Sequence, residues 1–230
     1  MGVFSIRISR DLKAFLKEED LNDLTKIGSN IKQLNRKDIK KIRSTLQKWN
    51  SPQAVSNLLF HPSLIPGDIR ASCILKGLRE KKNSYYILAT VVGLQGINST
   101  EFSEEERDDI KKSLIFILKT SGGVISARAS ISISDYISSE DAFTMFKLLD
   151  HPDDTTKHNI LCWLIRAMED KGPDAFISIV RSSCMPEDVQ EEAIEKLHEY
   201  LRQKEAGEYN LFTMPLYVNI PNLREYCKDH

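Results

Sequence analysis

The sequence predicts an all-α fold, a stack of short antiparallel helix pairs. Three observations predict it. Apolar residues recur at three- and four-residue spacing in many short segments. Those segments are separated by brief connections with helix start and stop residues. And a five-residue pattern, Leu58-Leu59-Phe60-His61-Pro62, returns ninety residues on as Leu148-Leu149-Asp150-His151-Pro152. With 230 residues, 41% hydrophobic and 28% charged, the chain is long enough for one large domain or two small ones with a substantial core. Ten Gly and eight Pro argue against a fibrous or disordered chain. No apolar run approaches the roughly 20 residues needed to cross a bilayer, so no membrane insertion is expected.

Helices are expected near 9–18, 20–34, 36–48, 52–60, 67–80, 84–96, 104–119, 123–137, 140–150, 154–170, 174–183 and 187–204. Ser51-Pro52 reads as a start, with the hydroxyl as cap and Pro in the first helical position. Ser103 with Glu106 reads as a capping box, followed by Ile110, Leu114, Ile117 and Leu118 on one stripe. Gly172-Pro173 closes one helix and opens the next. Pro186-Glu187-Asp188 opens another, with Val189, Ala193, Ile194, Leu197 and Leu201 on its apolar side. The stretch Ala129 to Ser134 alternates like a strand. Yet Ile125, Ala129, Ile133 and Ile137 recur every four residues beside Ser126, Ser130, Ser134 and Ser138, and a lone strand would leave its backbone groups unpaired, so helix is preferred. After about residue 207 no helical stripe survives. Tyr209, Leu211, Phe212, Leu216, Tyr217, Val218 and Ile220 stand among Pro and Asn as an extended apolar segment, docked on the domain or beginning a longer chain.

The chain divides into three regions: basic capping helices over 1–50, helical repeats over 51–206, and the extended segment 207–230. Net charge is −1, but residues 1–50 carry 12 basic and 6 acidic side chains, and the remainder carries 20 and 27. A basic front on an acidic body suits an acidic partner, nucleic acid or self-contact.

After each His-Pro comes an apolar helix at matching offset: Ile74-Leu75 answers Leu164-Ile165, and Tyr86-Ile87 answers Phe176-Ile177. Ninety residues is two units of forty-five, within the HEAT and armadillo period of about 40–47 residues. Over roughly 52–204 the chain thus resembles the HEAT/armadillo-type helical repeats. It departs from their pattern where Val-Arg usually opens the second helix of a unit: Asp68-Ile69-Arg70 keeps that flavour, and His158-Asn159-Ile160 does not. The resemblance implies a superhelical solenoid with an extended surface for a partner.

The basic run from Lys26 to Lys48 holds a single acid, Asp38. Arg36, Lys40 and Arg43 fall on one side of a helix, with Lys37 and Lys41 adjacent and Lys32 just before. Such a face is a solvated helix surface, a dock for an acidic protein, or a phosphate-neutralising surface. Trp49, at a helix end beside Lys48, is a packing residue or a binding anchor. Arg70, Lys76, Arg166 and Glu169 are placed by position alone on the second helices of their units. His151, His158 and Cys162 have partial zinc spacing with no fourth ligand, and His61 and His151 occupy the same turn in two repeats, a loop or capping role. Phosphate-loop, dinucleotide, zinc-protease, calcium-loop and nucleophile-elbow patterns are missing, so no catalytic, cofactor or metal residue is assigned. Cys73, Cys162, Cys184 and Cys227 form no CxxC pair and suit a reducing interior. Met1 to Arg10 lacks a signal-peptide pattern, and Ile6 stands where myristoylation needs Ser or Thr. The expectation is an intracellular, cytoplasmic or nuclear, non-enzymatic interaction module without a cofactor. It binds a protein or peptide segment, and the alternative is nucleic-acid association through 26–48.

Overall fold

The computed structural model describes residues 7–207 and 215–229. Among these residues the chain forms thirteen α-helices and several single 3-10 turns, with no strand. The expected Tyr209, Leu211 and Phe212, and the N-terminal residues Met1 to Ile6, lie outside the described residues. The chain divides into two compact units, Met1–Ser113 with Asn219–His230, and Leu114–Val218.

Unit 1 opens with α1 (Arg10–Phe15), α2 (Leu21–Asn30) and α3 (Arg36–Lys48). Ser9 and Asp20 cap the first two by accepting from free first-turn amides. Asn35 and Asp38 form a capping box on α3. Asp38 is fully buried, and both its carboxylate oxygens are used: one accepts from Ser9 N at 2.8 Å, the other from Asn35 N at 3.1 Å. The lone acid of the basic run therefore fastens the chain before α1 onto the start of α3. Ile42 and Leu46 turn inward to join Leu12, Phe15, Leu24, Leu58 and Ile65 in one core cluster. Fully burying a side chain of this size contributes about 1.5–3 kcal/mol.

Helix α3 ends on Trp49 in the left-handed region, φ 52°. Helix α4 (Pro52–Phe60) starts at Pro52 as expected, but the Ser51 hydroxyl makes no capping bond. Buried Asn57 closes the end of α1 by donating to Phe15 O at 2.7 Å and Glu18 O at 2.9 Å. Helices α5 (Gly67–Leu78) and α6 (Ser84–Leu94) come next along the chain. Here α4 and α6 come very close: a Cβ on Gly93 would lie 2.0 Å from the carbonyl oxygen of Leu59. Helix α7 (Glu104–Thr120) begins with the expected Ser103–Glu106 box, and Ile110, Leu114, Ile117 and Leu118 are all buried.

In unit 2 the serine-rich segment is helical, as α8 (Gly123–Ser132) and a 3-10 turn to Asp135. The helix expected over 140–150 is broken into a 3-10 turn (Ser139–Asp141), α9 (Ala142–Phe146) and a second 3-10 turn (Lys147–Asp150). A Ser138–Asp141 box holds the first of these as a separate turn. Next come α10 (Asp154–Ala167), α11 (Pro173–Ser182) and α12 (Glu187–Glu205). Gly172, at φ 82°, makes the bend that only a residue without Cβ adopts freely. Phe146 and Phe176 meet edge to face at 5.0 Å in this core.

Residues 215–222 are not helical, but Leu223–Asp229 form α13, which corrects the reading of the whole tail as extended. An Asn222–Glu225 pair caps it, Glu225 N donating to Asn222 Oδ1 at 2.8 Å and Asn222 N to Glu225 Oε2 at 3.3 Å. Its Tyr226 is buried, with Tyr226 Oη 2.6 Å from Ser84 Oγ.

Candidate functional site

The basic residues singled out from the sequence differ in their surroundings. Lys32, Arg36, Lys37 and Lys40 are exposed. Arg43 is committed to Asp68, with both carboxylate oxygens within 2.8 Å, and that guanidinium holds the Asp68 carboxyl below its ordinary pKa. Arg70 folds back onto its own turn, donating to Ile65 O and pairing with Glu101 at 2.5 Å. Lys76 lies 4.0 Å from the centre of the Trp49 ring, and Trp49 meets Tyr86 edge to face at 5.5 Å. Trp49 is half-buried and packs against two core clusters of unit 1. Arg166 stands 4.8 Å over Trp163, and Glu169 accepts from Lys204 and from Tyr200. Lys41 lines a concavity, with Lys48 and with Lys13 of α1.

The most specific polar arrangement sits in unit 2, on the face of α8 and α10. Asn159 is fully buried within α10. The serines and alanines of α8 are small enough to let α10 approach, so the amide of Asn159 meets Ser130 Oγ at 3.1 Å. The rest of the amide meets both backbone groups of one residue in the non-helical stretch 215–222. Asn159 Nδ2 donates to Leu216 O at 3.2 Å, and Asn159 Oδ1 accepts from Leu216 N at 2.6 Å. Two residues on, the guanidinium of Arg128 donates to Val218 O and lies 5.4 Å from the Tyr217 ring. Burial pulls the pKa of Arg128 below its usual value. The Thr156 hydroxyl lies 3.0 Å from Ser126 Oγ, a further tie between the same helices.

Leu216 is 49% and Tyr217 63% exposed, whereas Val218 is half-buried. The bonds from Asn159 and Arg128 are to backbone groups of this stretch. Sequence reasoning did not single out Asn159 or Arg128. One signal was present: the departure from the repeat pattern at His158-Asn159-Ile160 is where the amide stands.

The titratable groups nearby do other work. Burial pushes the Cys162 thiol up to about 12, and its sulfur lies 3.3 Å from His158 Nε2. A protonated thiol at neutral pH is a poor nucleophile. His61 and His151 both end a helical turn before Pro. The His61 ring meets Phe15 edge to face at 5.5 Å, and His151 Nδ1 accepts from Asp153 N at 3.0 Å. Among the described residues no three His, Cys, Asp or Glu side chains come together to hold a metal ion, and no helix is long and apolar enough to cross a membrane. Compared with known proteins, the chain matches no protein-family model, no curated protein and no solved structure.

Proposed function

We propose that this chain is a non-enzymatic interaction module that takes an extended polypeptide segment along the α8–α10 face, and that residues 216–218 occupy that face as an internal stand-in for a partner. The observation that carries the reading is the pair of hydrogen bonds between the Asn159 amide and the backbone N–H and C=O of Leu216. A buried amide so arranged accepts any residue but proline at that position. A partner segment makes the same bonds, so displacement of the stand-in costs only its tethering advantage. The regular run of short helices and the ninety-residue recurrence support a HEAT/armadillo-like stack as the scaffold of that face. The four unpaired cysteines, two of them buried, support a reducing compartment, cytoplasmic or nuclear.

The test uses the full chain and a labelled peptide with the sequence of residues 215–222. Leu216→Pro deletes the N–H that Asn159 Oδ1 accepts, which frees the face. The variant is expected to bind the peptide at least tenfold more tightly than the parent chain does. Adding Asn159→Ala should remove that binding. A Leu216→Pro chain that folds normally and ignores the peptide overturns the proposal.

A further inference from the structure

A cleft of about 320 Å³ opens in unit 1 between α1, the outer side of α3 and the start of α4. Four lysines line it: Lys13 from α1, Lys17 from the turn that follows it, and Lys41 and Lys48 from α3. No acidic side chain lines it, and among the described residues none of the four lysines pairs with a carboxylate. This sets them apart from Lys26, Lys112, Lys157 and Lys204, each of which has an acid in reach. Bringing four ammonium groups to one concavity without a counter-charge is unfavourable for the protein alone, and a bound anion removes the repulsion.

A second feature points to the same ligand. Thr45 lines the cleft, is only 5% exposed, and its hydroxyl bonds to no other described residue. Without such a partner, this hydroxyl is open to an acceptor bound in the cleft. Ser44 and Ser51 line the cleft as well, and Ser51 is the residue whose hydroxyl fails to cap α4.

The lining also restricts the class of anion. Its apolar members are Leu16 and Ala54, so no aromatic ring offers a stacking surface for a base. All four cations are lysines, compact point charges suited to phosphate oxygens, with no arginine fork to match a planar carboxylate. The size suits a compact ligand.

We infer that this cleft is a binding site for a compact anion carrying two or more clustered phosphates, held by Lys13, Lys17, Lys41 and Lys48 with the Thr45 hydroxyl as an oriented donor. The site is separate from the α8–α10 face and stands whether or not that face takes a partner. Clustered phosphates come from a soluble polyphosphorylated molecule or from a polyphosphorylated lipid headgroup, and both present the same chemistry.

Calorimetry on the full chain with inorganic tripolyphosphate tests it, with inorganic phosphate and a 20-nucleotide single-stranded DNA alongside. One tripolyphosphate per chain is expected, bound at least tenfold more tightly than inorganic phosphate. The pair Lys41→Gln and Lys48→Gln should weaken it at least tenfold. Thr45→Val keeps every charge and should weaken it about tenfold, the loss expected for one hydrogen bond to a charged acceptor. Arg36→Gln with Lys40→Gln removes the same charge outside the cleft and should change binding by less than twofold. Co-sedimentation with phosphatidylcholine vesicles containing 5% phosphatidylinositol bisphosphate reads the lipid source. Binding to either probe that is lost in the Lys41/Lys48 variant supports the site. Equal loss in the Arg36/Lys40 control, preference for DNA over tripolyphosphate, or binding to neither probe overturns it.

Discussion

Residues 38 and 128 stand ninety positions apart, one in α3 and the other in α8, and both are buried charges. Each grips a distant stretch of backbone. Asp38 accepts from the N–H of Ser9, and Arg128 donates to the C=O of Val218. The signs are opposite and so are the poles of the peptide they hold. The surroundings of the gripped residue differ more. Beyond Ser9 the chain enters α1, whose Leu12 and Phe15 are fully buried, so that attachment is part of the core. Around Val218 the segment leaves Leu216 and Tyr217 largely in solvent. The same device thus serves in one place as permanent structure and in the other as a contact with little hydrophobic reinforcement, the kind a competitor can replace.

The two units also close their helix pairs differently. Gly93 lets α6 touch the backbone of α4, and the residue ninety further on is Ser183, buried with its hydroxyl on Val180 O. The largest expected effect breaks this contrast. Gly93→Ala drives a methyl into a backbone oxygen and should cost about 3 kcal/mol or more, at the upper end of overpacking penalties, whereas Ser183→Ala should cost about 1 kcal/mol. Urea unfolding of both variants measures the difference, and equal losses remove the distinction. Next comes Asn159→Ala, which strands the Leu216 peptide groups and should cost about 2–3 kcal/mol, read the same way.

A pH effect sharpens the comparison on the unit 1 side. Burial lowers the pKa of His61 below 6.5. As pH falls, the unfolded chain takes up this proton before the folded one does. The stability that neutral His61 allows is therefore present above pH 6.5 and is lost as pH drops from there through the folded value. Urea midpoints between pH 7.5 and 5 should fall less steeply for His61→Gln than for the parent chain. The smallest effect belongs to the segment itself: Leu216→Ala and Tyr217→Ala should each change stability by no more than about 0.5 kcal/mol. A loss of several times that would show that side chains, not the backbone, hold 216–218 in place.

The helices were legible where a stripe and a punctuating residue coincided. Helix α3 matches its expected limits, as does α4, because Asn35, Trp49 and Pro52 bound them chemically. Helix α13 went unread: its seven residues carry few apolar positions, and tertiary burial of Tyr226 supplies what periodicity lacks. Its Asn222–Glu225 box was the available signal. The basic run was plain in the sequence, but its division was not. Asp68 claims Arg43 from 25 residues away, and Lys13 and Lys17 come from α1 and the turn after it, far in sequence from Lys41 and Lys48. Asn159 was hidden for the same reason, since its backbone partner lies 57 residues on in a stretch without periodicity.

Because Asn159 grasps the course of the main chain and ignores its lettering, positions 216 and 217 are free to drift in evolution without loosening the clasp. On the reading proposed above, the number of residues joining 216–218 to α12 sets the local concentration of the segment at that face, and changing that number is expected to alter how readily an outside strand enters, with no change to any residue of the face.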